Sequence, residues 1–112
     1  MSDPIPFKRP ITWNRLRTDE AENLIHERAK DTGRVIIIGH PEERSEEREI
    51  LDVDIYRILQ SGMVVDPPVQ VADGWEAVIR RRIRGTRDAA AATIIMRDDE
   101  TLIVKIVMWI DQ

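Results

Sequence analysis

The chain has no cysteine. Disulfide cross-links and thiolate chemistry are therefore excluded, and nothing in the sequence calls for an oxidising compartment. Two histidines, not paired at metal-ligand spacing, argue against a structural zinc site. There is no Gly-rich phosphate loop and no nucleophile elbow. Internal repeats and low-complexity segments are missing too. The first residues lack the long apolar stretch of a signal peptide, and no run approaches membrane-spanning length. These absences lead us to expect a cytoplasmic protein with no membrane partner, no metal and no cofactor.

What remains fits one domain with a modest core: 112 residues and 13.0 kDa, 42% hydrophobic and 34% charged. The net charge of −4 and a pI near 5.2 argue against strong, indiscriminate nucleic-acid binding. The charge is unevenly spread, with acid crowding residues 42–54 and base crowding residues 80–87.

Residues 1–17 hold no sustained period, and the expectation is an extended arm whose Trp13 or Ile11 packs on a domain spanning 18–112. Thr18 suits a helix N-cap, and the apolar spacing of Ala21, Leu24, Ile25 and Ala29 predicts a helix that Gly33 closes. His26 lies beside that stripe and carries no predicted role. Val35–Ile38 is a short β-branched run, expected as a buried strand. Pro41 favours a helix over 41–49, with His40 as its N-cap. Asp52 can cap a further helix that ends at Gly62.

From Trp75 the period changes to two. Trp75, Ala77, Ile79, Arg81 and Ile83 alternate with Glu76, Val78, Arg80, Arg82 and Arg84. Ala89–Met96 is the next strand. In the last one, Leu102, Val104, Ile106, Met108 and Ile110 are expected on one face, and Ile103, Lys105, Val107 and Trp109 on the other. Short turns between these strands predict an antiparallel meander. Helices segregated before it predict an α+β fold with the helices on one sheet face.

Two groups of residues can carry chemistry. On a helix over 41–49, His40, Arg44, Glu47 and Arg48 share one face. Glu47 or His40 can take a proton from a ribose 2′-hydroxyl, and Arg44 and Arg48 can stabilise a pentavalent phosphorane. Ordinary N-capping and helical Glu–Arg pairs account for the same residues without any reaction. The second group is the row Arg80, Arg82 and Arg84, spaced to meet successive phosphates, with Lys105 and Trp109 beside it if the register allows. A solvated face, or a docking surface for an acidic protein, explains this row equally well.

The segment from Val35 to Ile110 resembles an uncharacterised bacterial family with the signature S-x-H-A-x-x-R-M-x-E-R-G-I, related to RelE-like toxins of toxin–antitoxin modules. His40, Arg44, Glu47, Arg48 and Ile50 stand at the family's spacing, and Asp54-Ile55 and Gly62 fit its next helix. Ile38-Gly39, Pro41 and Glu49 depart from it. The resemblance implies a RelE-like α+β fold with N-terminal helices on a curved antiparallel sheet. It implies a metal-independent endoribonuclease acting on RNA or the ribosome and neutralised by a cognate antitoxin. His40, Glu47, Arg44 and Arg48 would then form the catalytic group, and Arg80, Arg82, Arg84 and Lys105 would hold RNA. The competing expectation is a non-catalytic protein-interaction module, with homodimerisation through exposed sheet edges as a further possibility.

Overall fold

The computed structural model describes residues 13–38, 50–85 and 87–110. The elements, in chain order, are α1 (Thr18–Ala29), a 3₁₀ turn (Thr32–Arg34), β1 (Val35–Ile37), α2 (Asp52–Ser61), β2 (Met63–Val64), β3 (Val69–Val71), β4 (Gly74–Arg84), β5 (Arg87–Met96) and β6 (Leu102–Ile110). The six strands form one sheet in the order β1-β6-β5-β4-β2, and β3 also pairs with β4. The fold is α+β, with the two α-helices of the described residues packed on a mixed sheet. The expected antiparallel arrangement holds from β2 to β6. It fails at β1, which runs parallel to β6.

Both helices start on a bond from the residue before them to an acidic side chain of the first turn, rather than on the caps the sequence suggests. Arg17, not Thr18, is the residue before α1, and its N–H donates to Glu20 Oε1 at 2.9 Å. Leu51, not Asp52, precedes α2, and its N–H donates to Asp54 Oδ2 at 3.0 Å. An acidic side chain three residues on thus satisfies a backbone N–H that the helix leaves unpaired. The first helix ends at Ala29, and Gly33 lies in the 3₁₀ turn beyond it.

Strand period two sorts the sheet into two faces. Trp75, Ala77 and Ile79 of β4, Ala89, Ala91 and Ile95 of β5, and Leu102, Val104 and Val107 of β6 all point into one core with Ala21, Ile25, Ala29, Ile55, Ile58 and Leu59 of the helices. Polar bonds lock the helices to this core. His26 Nε2 donates to the Gly62 carbonyl at 2.8 Å, so His26, expected to do nothing, joins α1 to the end of α2. Gln60 Nε2 donates to the Ala29 carbonyl, and the Val64 N–H donates to Glu22 Oε1. Half-buried Arg28 reaches the β5–β6 turn, where its Nη1 donates to the carbonyls of Met96 and Thr101 at 2.7 and 3.3 Å. Burial pulls that guanidinium below its ordinary pKa, partly offset by Glu100 and Asp99. The described end of the arm packs on the domain as well: Leu16 is buried, and Trp75 Nε1 donates to the Trp13 carbonyl at 2.7 Å.

Two irregularities in register bear on function. Thr93 pairs with Val104 and Ala92 with Ile106, leaving Lys105 as an extra residue. This β-bulge reverses the predicted alternation, so Leu102 and Val104 are followed into the core by Val107, while Ile106 and Met108 are exposed on the opposite face. A second shift follows Arg82. That residue pairs with Asp88, whereas Arg84 pairs with the adjacent Arg87. Strict alternation along β4 therefore ends before Arg84. The first strand is also corrected: β1 lies at the sheet edge, and Ile36 and Ile38 are exposed rather than buried.

Candidate functional site

The helix face carrying His40, Arg44, Glu47 and Arg48 falls in residues 39–49, outside the described residues, as does the expected helix over 41–49. The arginine row can be placed. Arg80 and Arg82 sit on the sheet face opposite the helices, in phase with Glu76 and Val78. Arg84 continues the same strand beyond the register shift. Lys105 joins this group through its bulge, with Nζ 3.1 Å from Glu76 Oε1. Trp109 does not. It pairs with Ala89, which places it on the core side, and the Arg87 guanidinium lies 4.3 Å from its ring centroid. The bulge at Lys105 thus separates the two residues that the sequence offered together as a cation and an aromatic for RNA.

Charges on this face are mostly neutralised locally. Lys105 pairs with Glu76, and Arg82 Nε lies 3.4 Å from Asp88 Oδ1. Arg80 is exposed and has no ion-pair partner among the described residues. Such surface and part-buried pairs contribute little to stability, about 0–1 kcal/mol each. They do set where charge lies on the face.

The greater part of the face is apolar. Exposed there are Ile36 (48%), Met63 (57%), Val78 (41%), Ile106 (49%) and Met108 (43%). Register explains the grouping: Ile36 pairs with Ile103, Met63 with Arg80, Val78 with Ala92 and Ala92 with Ile106. Along the middle of the face, Ala90 and Ala92 are only 2% and 7% exposed, although no described helix covers them. They form a small-residue floor between the longer side chains of β4 and β6. The result is a shallow apolar trough running along β5. No described residue there forms a metal-binding cluster of His, Cys, Asp or Glu.

Sequence reasoning missed this apolar face: it expected Ile36 in a buried strand, put Ile106 and Met108 in phase with Leu102 and Val104, and read the Val78 side of β4 only as an arginine row. A signal was present. Strands β5 and β6 read as almost continuous apolar runs, AAAATIIM and LIVKIVMWI, and such runs belong to strands covered on both faces. The described helices cover one.

Compared with known proteins, the chain matches no protein-family model, no curated protein and no solved structure. Among the described residues, no helix is long and apolar enough to cross a membrane.

Proposed function

We propose that the chain is a protein-interaction module whose working surface is the sheet face that no described helix covers. The observation that carries this reading is the exposed set Ile36, Met63, Val78, Ile106 and Met108 around the alanine floor. Contiguous apolar surface of this kind is uncommon on monomers except where something binds. The test is affinity capture with tagged wild-type and Ile106→Glu chains, scored for both protein and RNA across a salt series. Protein retained at high salt by the wild type and lost from the variant is the expected result, because an apolar interface is weakly salt-dependent. Equal retention by both chains overturns the reading.

A second reading is favoured by a different observation, the exposed and in-phase pair Arg80 and Arg82. On it, the fold is RelE-like and the protein is an RNA-directed toxin, an endoribonuclease held in check by an antitoxin. Arg80, Arg82, Arg84 and Lys105 hold phosphates, and His40, Glu47, Arg44 and Arg48 carry out the cleavage. Support comes from the motif spacing and from helices preceding the main run of strands. Against it, Glu76 and Asp88 already occupy Lys105 and Arg82, and the face lacks Trp109. Primer extension on naked and translating mRNA tests it, with His40→Ala and Glu47→Ala as controls. New 5′ ends that vanish in either variant establish the nuclease, whereas intact RNA in both settings removes it. RNA held by phosphate contacts also leaves the captured chain steeply as salt rises.

A further inference from the structure

The occupant of the open face can be read from its symmetry. One row of cross-strand partners, Ile79, Ala91 and Val107, points into the core. On the outer face this row is flanked on one side by Val78, Ala92 and Ile106, and on the other by Arg80, Ala90 and Met108. Beyond these, the Glu76–Lys105 pair closes one end and the Arg82–Asp88 pair closes the other. We propose that a second copy of this chain covers the face, the two sheets stacking about a two-fold axis that runs across the strands above this row.

That rotation lays β2, β4, β5 and β6, each reversed, over its own counterpart, and carries β1, which lies level with Glu76, clear of its own. Val78 then faces Arg80 of the other copy, Ala92 faces Ala90, and Ile106 faces Met108. At the ends Glu76 meets Arg82 of the other copy, and Lys105 approaches its Asp88. Every charge in the two end pairs thus finds an opposite one, while Ala90, Ala92, Ile106 and Met108 of the centre meet their counterparts. An isologous interface requires a patch complementary to its own rotated image, and this patch is. A partner of one charge sign fits less well. The face carries Arg80, Arg82 and Lys105 against Glu76 and Asp88, nearly balanced, and complementarity to an acidic chain or to phosphate calls for a single sign.

The superposed strands make a small interface. Three strand spacings from β6 to β2 and six residues from Glu76 to Arg82 span about 14 by 20 Å, roughly 300 Å² before side-chain relief is counted. That is under the ~600 Å² per partner of standard interfaces and fits a weak, concentration-dependent dimer. Homodimer interfaces are also the more apolar kind. Stacked sheets pack about 10 Å apart, with strand directions turned by about 30°.

This inference rests on the docking reading above, and one experiment separates the two. Sedimentation equilibrium on the full chain, over ~1 to ~100 µM, is expected to give a dimer for the wild type and a monomer for Ile106→Glu, with circular dichroism showing both folded. Reversing one end charge, Glu76→Arg or Arg82→Glu, is expected to raise the dimer Kd about tenfold, and combining the two to restore most of it. Failure of the double reversal to restore pairing overturns the stated alignment, and a dimer that survives Ile106→Glu overturns the stated face. A monomeric wild type overturns the second copy as occupant. If that monomer still captures a protein that Ile106→Glu loses, the docking reading stands without it; if not, both fall.

Discussion

Gly62 shows how little room a single residue has where three elements meet. A Cβ added there would lie 2.5 Å from the Ile58 carbonyl oxygen, 2.7 Å from that of Arg80 and 2.9 Å from Ile79 Cγ1. Two of these neighbours are backbone, one in α2 and one in β4, and backbone cannot swing aside. Gly62→Ala should therefore separate the helix end from the strand and weaken the bond from His26. The expected cost is ~2–3 kcal/mol, read as a lower urea midpoint at an unchanged m-value. An opposite case is Asp99 in the β5–β6 turn. Hydrogen bonds from the Thr101 side chain and from its N–H hold this carboxyl below its ordinary pKa. A carboxyl depressed in the fold stabilises it above the unfolded value of ~3.9, and that contribution is lost as pH falls through the lower folded value. Asp99 is fully exposed, so the effect on stability is small, but the titration is readable. An NMR pH titration should place Asp99 below the ordinary aspartate value, and Thr101→Ala should move it back up.

At the scale of elements, the instructive case is β6. Its period-two pattern was legible in the sequence, and so were α2, the β4 alternation and the helices on one sheet face. The phase of its second half was not. Leu102, Val104, Ile106, Met108 and Ile110 form an unbroken apolar series, and nothing in their identity marks Lys105 as surplus. Only pairing with β5 reveals it, because Ala92 and Thr93 are adjacent while their partners Ile106 and Val104 are not. The parallel placement of β1 escaped for the same reason: a three-residue β-branched run carries no record of its neighbour's direction. The candidate site divides along this line. Arg80 and Arg82 could be found from spacing, but the apolar face around them depends on a bulge. A deletion tests the account of the bulge. Without Lys105, Val104, Ile106, Val107, Met108 and Trp109 fall into regular alternation with their present facings, at the loss of one exposed bond to Glu76. Deleting Lys105 should leave the fold intact and change stability by no more than ~1 kcal/mol. Deleting Val107 instead puts Met108 where a core residue stood and should cost several times more. Thermal melts of the two deletions decide it.

At the scale of the whole molecule, the described helices finish the sheet on one side only. Ile25, Ile55, Ile58 and Leu59 bury the inner face, while the outer face leaves Val78, Ile106 and Met108 to water. A protein in this condition draws part of its stability from whatever covers the second face, and that part follows mass action. If copies of the chain cover one another, unfolding must also separate them, so the melting temperature rises with protein concentration. Ile106→Glu supplies the control. Its side chain is half exposed in the single chain, so the substitution should cost the isolated domain under ~0.5 kcal/mol. It should nevertheless abolish the concentration dependence, since it places a charge at the centre of the covered patch. Scanning calorimetry from ~1 to ~100 µM should show wild-type and variant melts converging at the dilute end and parting as concentration rises. Parallel, concentration-independent melts would mean that the outer face contributes nothing to the stability of the free protein. Offset melts at every dilution would mean that Ile106 belongs to the domain's own core after all.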